Sequence, residues 1–155
     1  MRHHAVARSL IVSAVFVLGI VTVRLQGAGI KETVRLTISG SGVAEPIRVT
    51  EPSVLALSNV YDGSFIGEPA AAAPDADWNR FVISFDIQTG NGVKRDGYAV
   101  TFAKNRWTDE ALVYLPGPGD AAYRRNISTI LREGADGTWR RTSRAWADAI
   151  SARLR

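Results

Sequence analysis

The strongest constraint on the fold is a stretch in which apolar and polar residues alternate and the chain then turns back on itself. Every second position of residues 80–88 holds a large apolar side chain, at Phe81, Ile83, Phe85 and Ile87. A Gly-Asn-Gly turn at 90–92 follows, and residues 98–102 resume the alternation. Successive side chains of a strand point to opposite faces, so the pattern predicts an antiparallel hairpin with one buried face. Gly97, just before the second arm, fits a β-bulge.

Shorter segments with the same period surround this hairpin. They lie at residues 33–39, 47–49, 111–115 and 138–142, the last as a short edge strand. Residues 59–77 show no period. The half with Tyr61 and Phe65 is expected to pack on the domain, and the half rich in Ala and Pro is expected to form a solvated loop.

The period changes to that of a helix after the proline turn at residues 116–120. Apolar side chains then recur at Tyr123, Ile127, Ile130 and Leu131, which predicts a helix capped by Asp120. The prolines and glycines of the turn itself are expected to have a structural role, because such residues ordinarily separate one secondary-structure element from the next.

Two further helices are indicated by their capping residues. Thr50 is the expected N-cap of a short helix that starts at Pro52, and Ser143 is the expected N-cap of the last helix. Trp146 and Trp139 are expected to fill the core under that last helix. These segments predict a single α+β domain, an antiparallel sheet of about four to six strands with the C-terminal helices packed on one face. The domain is assigned to residues 30–155.

The N-terminus has the three-part layout of a secretory signal. Arg2 and Arg8 precede a mainly apolar run at residues 10–23, and small residues follow at 27–29. A spanning helix needs about 20 apolar residues, so a signal peptide at residues 1–29 is favoured over a membrane anchor formed by residues 10–23. The chain is therefore expected to be secreted or held at the cell envelope, and a single-pass membrane protein is the alternative.

Composition excludes several kinds of chemistry once this leader is removed. The chain has no Cys, and its His residues, His3 and His4, lie in the leader together with its single Met. The remaining domain cannot build a Ser-His-Asp or Cys-His site, or a metal site that depends on those ligands. We assign no catalytic residue, no metal and no cofactor. Without the leader the charges nearly balance, so nucleic acid is not an expected partner.

Carboxylates are the remaining candidates for catalysis or for binding calcium. Asp75, Asp77 and Asn79 have the opening spacing of a calcium loop, but Arg80 occupies the position that needs Gly, so a solvated acidic loop is the better account. A pair of carboxylates could hydrolyse glycosides without His. The candidates for such a pair are Asp86, Asp96, Asp109 and Glu110.

The candidate ligand-binding residues lie on either side of the strand at 111–115. Trp107 stands in a polar loop, where an exposed indole can stack on a sugar or a base. Tyr123, Arg124 and Arg125 follow the proline turn in a part of the chain that is rich in Arg. This basic part could bind an anionic envelope surface or a protein partner. Arg on the solvent-exposed side of a helix often serves only to keep that side solvated.

These observations favour a non-enzymatic binding or structural module at the cell envelope or outside the cell. A His-free, carboxylate-dependent hydrolase and a membrane-anchored protein are the alternatives. A different observation tests each of them. A polar, featureless sheet face opposite the helices, with no groove near Trp107 and the turn at residues 116–119, removes the support for ligand binding. Two carboxyl groups facing each other across a cleft at about 5–10 Å support the hydrolase, and an intact leader supports the anchored protein.

Overall fold

A computed structural model describes residues 31–126 and 136–155. The strands are β1 (Thr33–Gly40), β2 (Ile47–Val49), β3 (Ile66–Pro69), β4 (Trp78–Thr89), β5 (Gly92–Asn105), β6 (Ala111–Leu115) and β7 (Thr138–Thr142). The helices are α1 (Pro52–Ala56), α2 (Tyr123–Asn126) and α3 (Arg144–Ser151). The predicted signal peptide, the alternative anchor and residues 127–135 of the predicted Tyr123 helix lie outside the described residues.

The strands of the described chain form one antiparallel sheet in the order β2-β1-β4-β5-β6-β7-β3. The predicted hairpin is confirmed as β4 and β5, which are longer than the sequence pattern indicated. The α+β class is confirmed, but the expected four to six strands are too few, because this part of the chain forms seven. The strand that was not predicted is β3. It lies in a segment expected to have no regular structure, and it pairs with β7. The predicted edge strand β7 is therefore covered on both sides.

One face of the sheet carries the hydrophobic core and is covered by α1 and α3. Trp146 of α3 is fully buried, and its ring centroid lies 4.8 Å from that of Phe65 and 5.5 Å from that of Phe102. Its indole Nε1 donates to Ser58 Oγ at 2.9 Å, and Ser58 Oγ donates to the Val54 carbonyl of α1 at 2.7 Å. This network satisfies the buried polar atoms and joins the two helices through the core.

Two of the predicted caps differ from the structure. Ser143 is confirmed, since its Oγ accepts from Trp146 N–H. The N-cap of α1 is Glu51 and not Thr50, and Glu51 makes no side-chain capping bond. Asp120 does not cap a helix through its side chain, because that carboxylate closes the preceding turn.

The predicted bulge at Gly97 is confirmed. Between the pairs Phe85↔Tyr98 and Ile87↔Lys94, β5 has more residues than β4. A Cβ at Gly97 would lie 2.6 Å from the Ile87 side chain, so only glycine fits here without movement. The extra residues interrupt the pairing of β4 with β5 at this point.

The connection at residues 70–77 crosses the second face of the sheet. It leads from β3 at one edge to β4 in the middle, and it lines a cavity with Leu112 and Arg141. Arg80 holds it in place, with Nη2 donating to the Pro74 carbonyl at 2.7 Å. The segment expected to be a solvated loop therefore lies against the sheet, although several of its alanines are exposed.

Candidate functional site

The face of the sheet that points away from α1 and α3, the opposite face, carries a row of side chains that crosses several strands. Its central row runs across four strands through Val82, Thr101, Tyr114 and Trp139. The rings of Tyr114 and Trp139 lie 5.3 Å apart, and Val82 is 46% exposed. Trp139 thus lies on this face, half-buried, and the prediction that it fills the core under the last helix is wrong.

Two cavities open on the opposite face, one toward each end of β6. The first, the turn cavity, measures about 270 Å³ and adjoins Pro116 and Asp120. The second, the face cavity, measures about 330 Å³ and is bordered by Trp78, Leu112 and the crossing residues 70–73. The turn cavity adjoins the proline turn but is not lined by Trp107, so ligand binding on this face stays a prediction.

The proline turn at the end of β6 is closed by its own acidic residue. Asp120 Oδ2 accepts hydrogen bonds from the Tyr114 hydroxyl at 2.8 Å and the Gly117 N–H at 2.7 Å. The bond from Tyr114 holds the pKa of Asp120 below its ordinary value, and the Gly117 N–H adds to this effect. The same bond to Asp120 raises the pKa of Tyr114, with burial as a smaller cause. Because the carboxylate is engaged within the turn, this turn is not a phosphate cradle.

The predicted residues after this turn have different surroundings. Arg125 lines the turn cavity, whereas Arg124 is exposed and Tyr123 is half-buried. Asn126, the last described residue of α2, is buried, and its Oδ1 accepts a hydrogen bond from the Ala99 N–H at 2.9 Å. Its side-chain amide thereby continues the hydrogen bonding of β5 beyond the end of β6.

At the other end of β6 lies the rim loop, residues 105–110. Asn105 Oδ1 accepts from the Trp107 N–H at 2.8 Å and the Thr108 N–H at 3.2 Å. Thr108 Oγ1 in turn accepts from the Glu110 N–H at 3.2 Å. These local bonds hold the loop in a shape that leaves the Trp107 side chain 80% exposed.

A cavity of about 360 Å³, called the rim cavity below, adjoins the rim loop. Its lining residues are Asn79, Phe81, Lys104, Asn105, Arg106, Asp109, Asp148, Ser151, Leu154 and Arg155. Arg106 Nε donates to Asn79 Oδ1 at 3.1 Å, and Lys104 Nζ lies 3.5 Å from Asp109 Oδ1. The cavity thus combines amide and charged groups with the apolar Phe81 and Leu154.

The predicted binding residues do not form one site. Trp107 lies at one end of β6, and Tyr123, Arg124 and Arg125 follow its other end. A strand of five residues spans about 17 Å. Ligand contact by either group stays a prediction, but no compact ligand could touch both.

Most residues of the rim cavity could not be predicted from the sequence, in which Asn79 and Asp109 stood out only as a calcium-loop position and a candidate carboxylate. Asn79 and Arg155 come from distant parts of the chain, and only the pairing of β4 with β5 and the position of α3 bring them near Lys104 and Arg106. The alternation that continues from residues 98–102 toward Asn105 is the one signal that could have placed the end of β5. No local pattern indicates the contribution of α3.

The candidate carboxylates divide into a buried one and exposed ones. Asp86 is buried, forms an ion pair with Arg35 and accepts from the Asp96 N–H at 2.9 Å. The other candidates, Asp96, Asp109 and Glu110, are exposed. Asp109 lines the rim cavity with Asp148, which was not predicted, but these two side chains are 97% and 68% exposed. A general acid in a glycosidase is ordinarily shielded from water, so this exposure weighs against catalysis.

The Asp75 carboxylate accepts from the Asp77 N–H at 2.9 Å, as in an Asx turn. Within residues 31–126 and 136–155, no group of acidic residues has an arrangement that could hold a metal ion. No helix in these two ranges has the length and apolar character needed to span a membrane.

The chain was compared with protein-family models, curated proteins and solved structures. None of the three comparisons finds a match. The site must therefore be interpreted from the geometry of this chain alone.

Proposed function

We propose that this chain is a non-enzymatic binding module that acts at the cell envelope or outside the cell, and that its ligand is a carbohydrate held at the rim cavity. One observation carries the proposal. Trp107, the most exposed large apolar side chain in the described residues, belongs to the rim loop, in which Asn105, Arg106 and Asp109 line a cavity with amide and guanidinium groups.

This combination of groups suits a sugar ring. The C–H face of a pyranose can stack on the exposed indole of Trp107, while planar amides and guanidinium groups hydrogen-bond its hydroxyls. Asn105 and Arg106 supply such groups at the cavity wall. Since Asn105 already orders the rim loop, binding need not bear the full entropy cost of ordering it.

The charges at the cavity favour an acidic sugar over a neutral one. Lys104 is paired with Asp109, and Asp148 is paired with Arg144. Arg106 and Arg155 form no ion pair with any residue of the described chain. A guanidinium group binds a carboxylate in a bidentate, charge-assisted manner, so these two side chains suit the carboxylate of a uronic acid.

Binding can be tested with the full chain and two probes, polygalacturonate as the acidic polymer and laminarin as the neutral one. Stacking on an aromatic side chain contributes about 1–3 kcal/mol per base in nucleic-acid complexes. At the lower end of that range, Trp107→Ala should weaken polygalacturonate binding by about fivefold to tenfold in calorimetry. Its thermal midpoint should be unchanged, because the side chain is exposed.

The matched control is Val93→Ala, which truncates another exposed apolar residue at the far end of β5. This variant should bind like the original chain. Failure of both polymers to bind, or equal affinity of the Trp107→Ala variant, would overturn the proposal. Stronger binding of laminarin than of polygalacturonate would refute only the preference for acidic sugars.

The location is proposed from the N-terminal sequence. Residues 1–29 have the layout of a cleaved signal, and residues 10–23 are the alternative anchor. N-terminal sequencing of the exported protein distinguishes these outcomes. A new N-terminus near residue 30 supports secretion, an intact leader in the membrane fraction supports the anchored form, and retention inside the cell contradicts both.

The hydrolase alternative is favoured by one observation, the shared position of Asp109 and Asp148 at the rim cavity. Release of reducing ends from polygalacturonate or laminarin tests it directly. We expect no release above that of an Asp109→Asn variant. Release that depends on Asp109 would replace the binding module with an enzyme.

A further inference from the structure

We propose that the ligand is a polysaccharide chain long enough to pass around the rim loop, with a second subsite formed by Trp78 and Arg141 on the opposite face. This inference rests on the proposed function, since it assigns the size of the ligand and the path that it follows. It concerns a part of the molecule distinct from the rim cavity.

The first observation is that the cavities around the rim loop share walls. The rim cavity and the face cavity have Asn105 in common. A third cavity of about 200 Å³, the side cavity, shares Asp109 and Asp148 with the rim cavity and shares Glu110 and Arg141 with the face cavity. The three cavities are therefore neighbours around the base of the rim loop.

Cavity size indicates a segmented ligand. Sites for small molecules usually measure about 300–1,000 Å³, and the rim and face cavities, at about 360 and 330 Å³, fall at the low end of this range. Each is suited to a short piece of a ligand. A polymer that occupies both would gain from linking two weak sites, because the second contact becomes intramolecular.

The face cavity offers the same kind of groups as the rim cavity. Trp78, the first residue of β4, pairs with Asn105 and contributes a half-buried indole to this cavity. Arg141 is exposed and forms no ion pair within residues 31–126 and 136–155. The face cavity thus offers an aromatic ring and a guanidinium group, as Trp107 and Arg106 do in the rim loop.

Charge restricts the polymer further. Glu110 and Asp75 also line the face cavity, which would repel a polymer with a dense row of negative groups. A polysaccharide with separated carboxylates can place one near Arg141 and another near Arg106. This arrangement argues against nucleic acid, in which every nucleotide carries a phosphate.

The test measures the affinity of the full chain for a hyaluronan disaccharide and an octasaccharide, in which only every second sugar carries a carboxylate. The octasaccharide should bind at least about tenfold more tightly. Arg141→Glu should remove most of this gain and leave disaccharide affinity unchanged, and Trp78→Ala should act in the same direction. Trp107→Ala should weaken both ligands.

Arg141→Glu is the decisive variant because its side chain is exposed and makes no hydrogen bond within the described chain, so it should fold normally. Arg48→Glu is its control, an exposed arginine on β2 near the other edge of the sheet. Disaccharide binding with no gain from length, or a gain that survives both Arg141→Glu and Trp78→Ala, overturns this inference but leaves the proposed function intact. Failure of both oligosaccharides to bind overturns this inference and counts against the proposed function.

Discussion

The two ends of β6 use the same local device with opposite results. At one end the Asn105 side chain accepts two backbone N–H groups of the rim loop, and at the other the Asp120 carboxylate accepts one backbone N–H and the Tyr114 hydroxyl. The rim loop leaves Trp107 80% exposed, whereas Pro116 and Gly117 of the proline turn are buried. An Asx side chain can thus support a binding loop or close a structural joint.

The difference lies in what the ordered backbone contacts. The proline turn packs against the chain that leads into β7, and a Cβ on Gly117 would lie only 2.7 Å from the Gly137 Cα. The rim loop projects from the end of the sheet beside the rim cavity. The exposed indole of Trp107 therefore lies on the loop that projects into solvent and not on the buried turn, and exposed loops are the usual position of binding residues.

The largest expected effect comes from Gly117→Ala. The added methyl group meets backbone atoms that cannot rotate away, so we expect a loss of about 2–3 kcal/mol in the free energy of unfolding. Urea denaturation measures this loss. The control is Gly119→Ala, since a Cβ at Gly119 meets nothing within 4 Å. Equal stability of the two variants would mean that the packing of Gly117 against Gly137 does not stabilise the proline turn.

A smaller effect is expected from Asn105→Ala in the rim loop. The Trp107 and Thr108 N–H groups lose their acceptor but can turn to water, so the free energy of unfolding should fall by about 1 kcal/mol. Affinity for polygalacturonate should fall as well, because the loop is no longer held ready and the Asn105 amide is lost from the wall of the rim cavity. Asn91→Ala, at the tip of the long hairpin, is the control. Unchanged affinity in the Asn105→Ala variant would show that the order of the rim loop does not contribute to binding.

The smallest effect is the pH dependence of the proline turn. The folded-state pKa of Asp120 lies below its ordinary value of 3.8, so its contribution to stability is present above 3.8 and is lost as the pH falls through the folded pKa. Tyr114 has the opposite sign, since its raised pKa means that its contribution is lost as the pH rises through the folded value at alkaline pH.

Denaturation at a series of pH values should therefore show Asp120→Asn less stable than the original chain near neutral pH, with the difference vanishing in acid. The exposed Asp77→Asn variant controls for the lost charge. A difference that persists below the folded pKa would show that the carboxylate charge is not what holds the turn.

Local patterns predicted the elements that their own residues stabilise. The alternation at residues 80–88, the bulge at Gly97, the strand Ala111–Leu115 and the cap at Ser143 were all confirmed, because each depends on neighbours in sequence. The failures have a different origin. Ile66–Pro69 has no alternation and includes a proline, and it becomes a strand only because β7 offers it an edge.

Side-chain partners show the same division. Sequence alone determined that the domain is α+β, that Trp107 stands in a polar loop, and that residues 31–155 lack His, Cys and Met. Only the tertiary structure decided that Trp139 lies against Tyr114 on the face opposite α3, and that Asp120 closes its own turn. It also brought Asn79 and Arg155 to the rim cavity. The physical reason is that period and capping depend on adjacent residues, whereas the occupant of a face or a cavity depends on strands and helices that are distant along the chain.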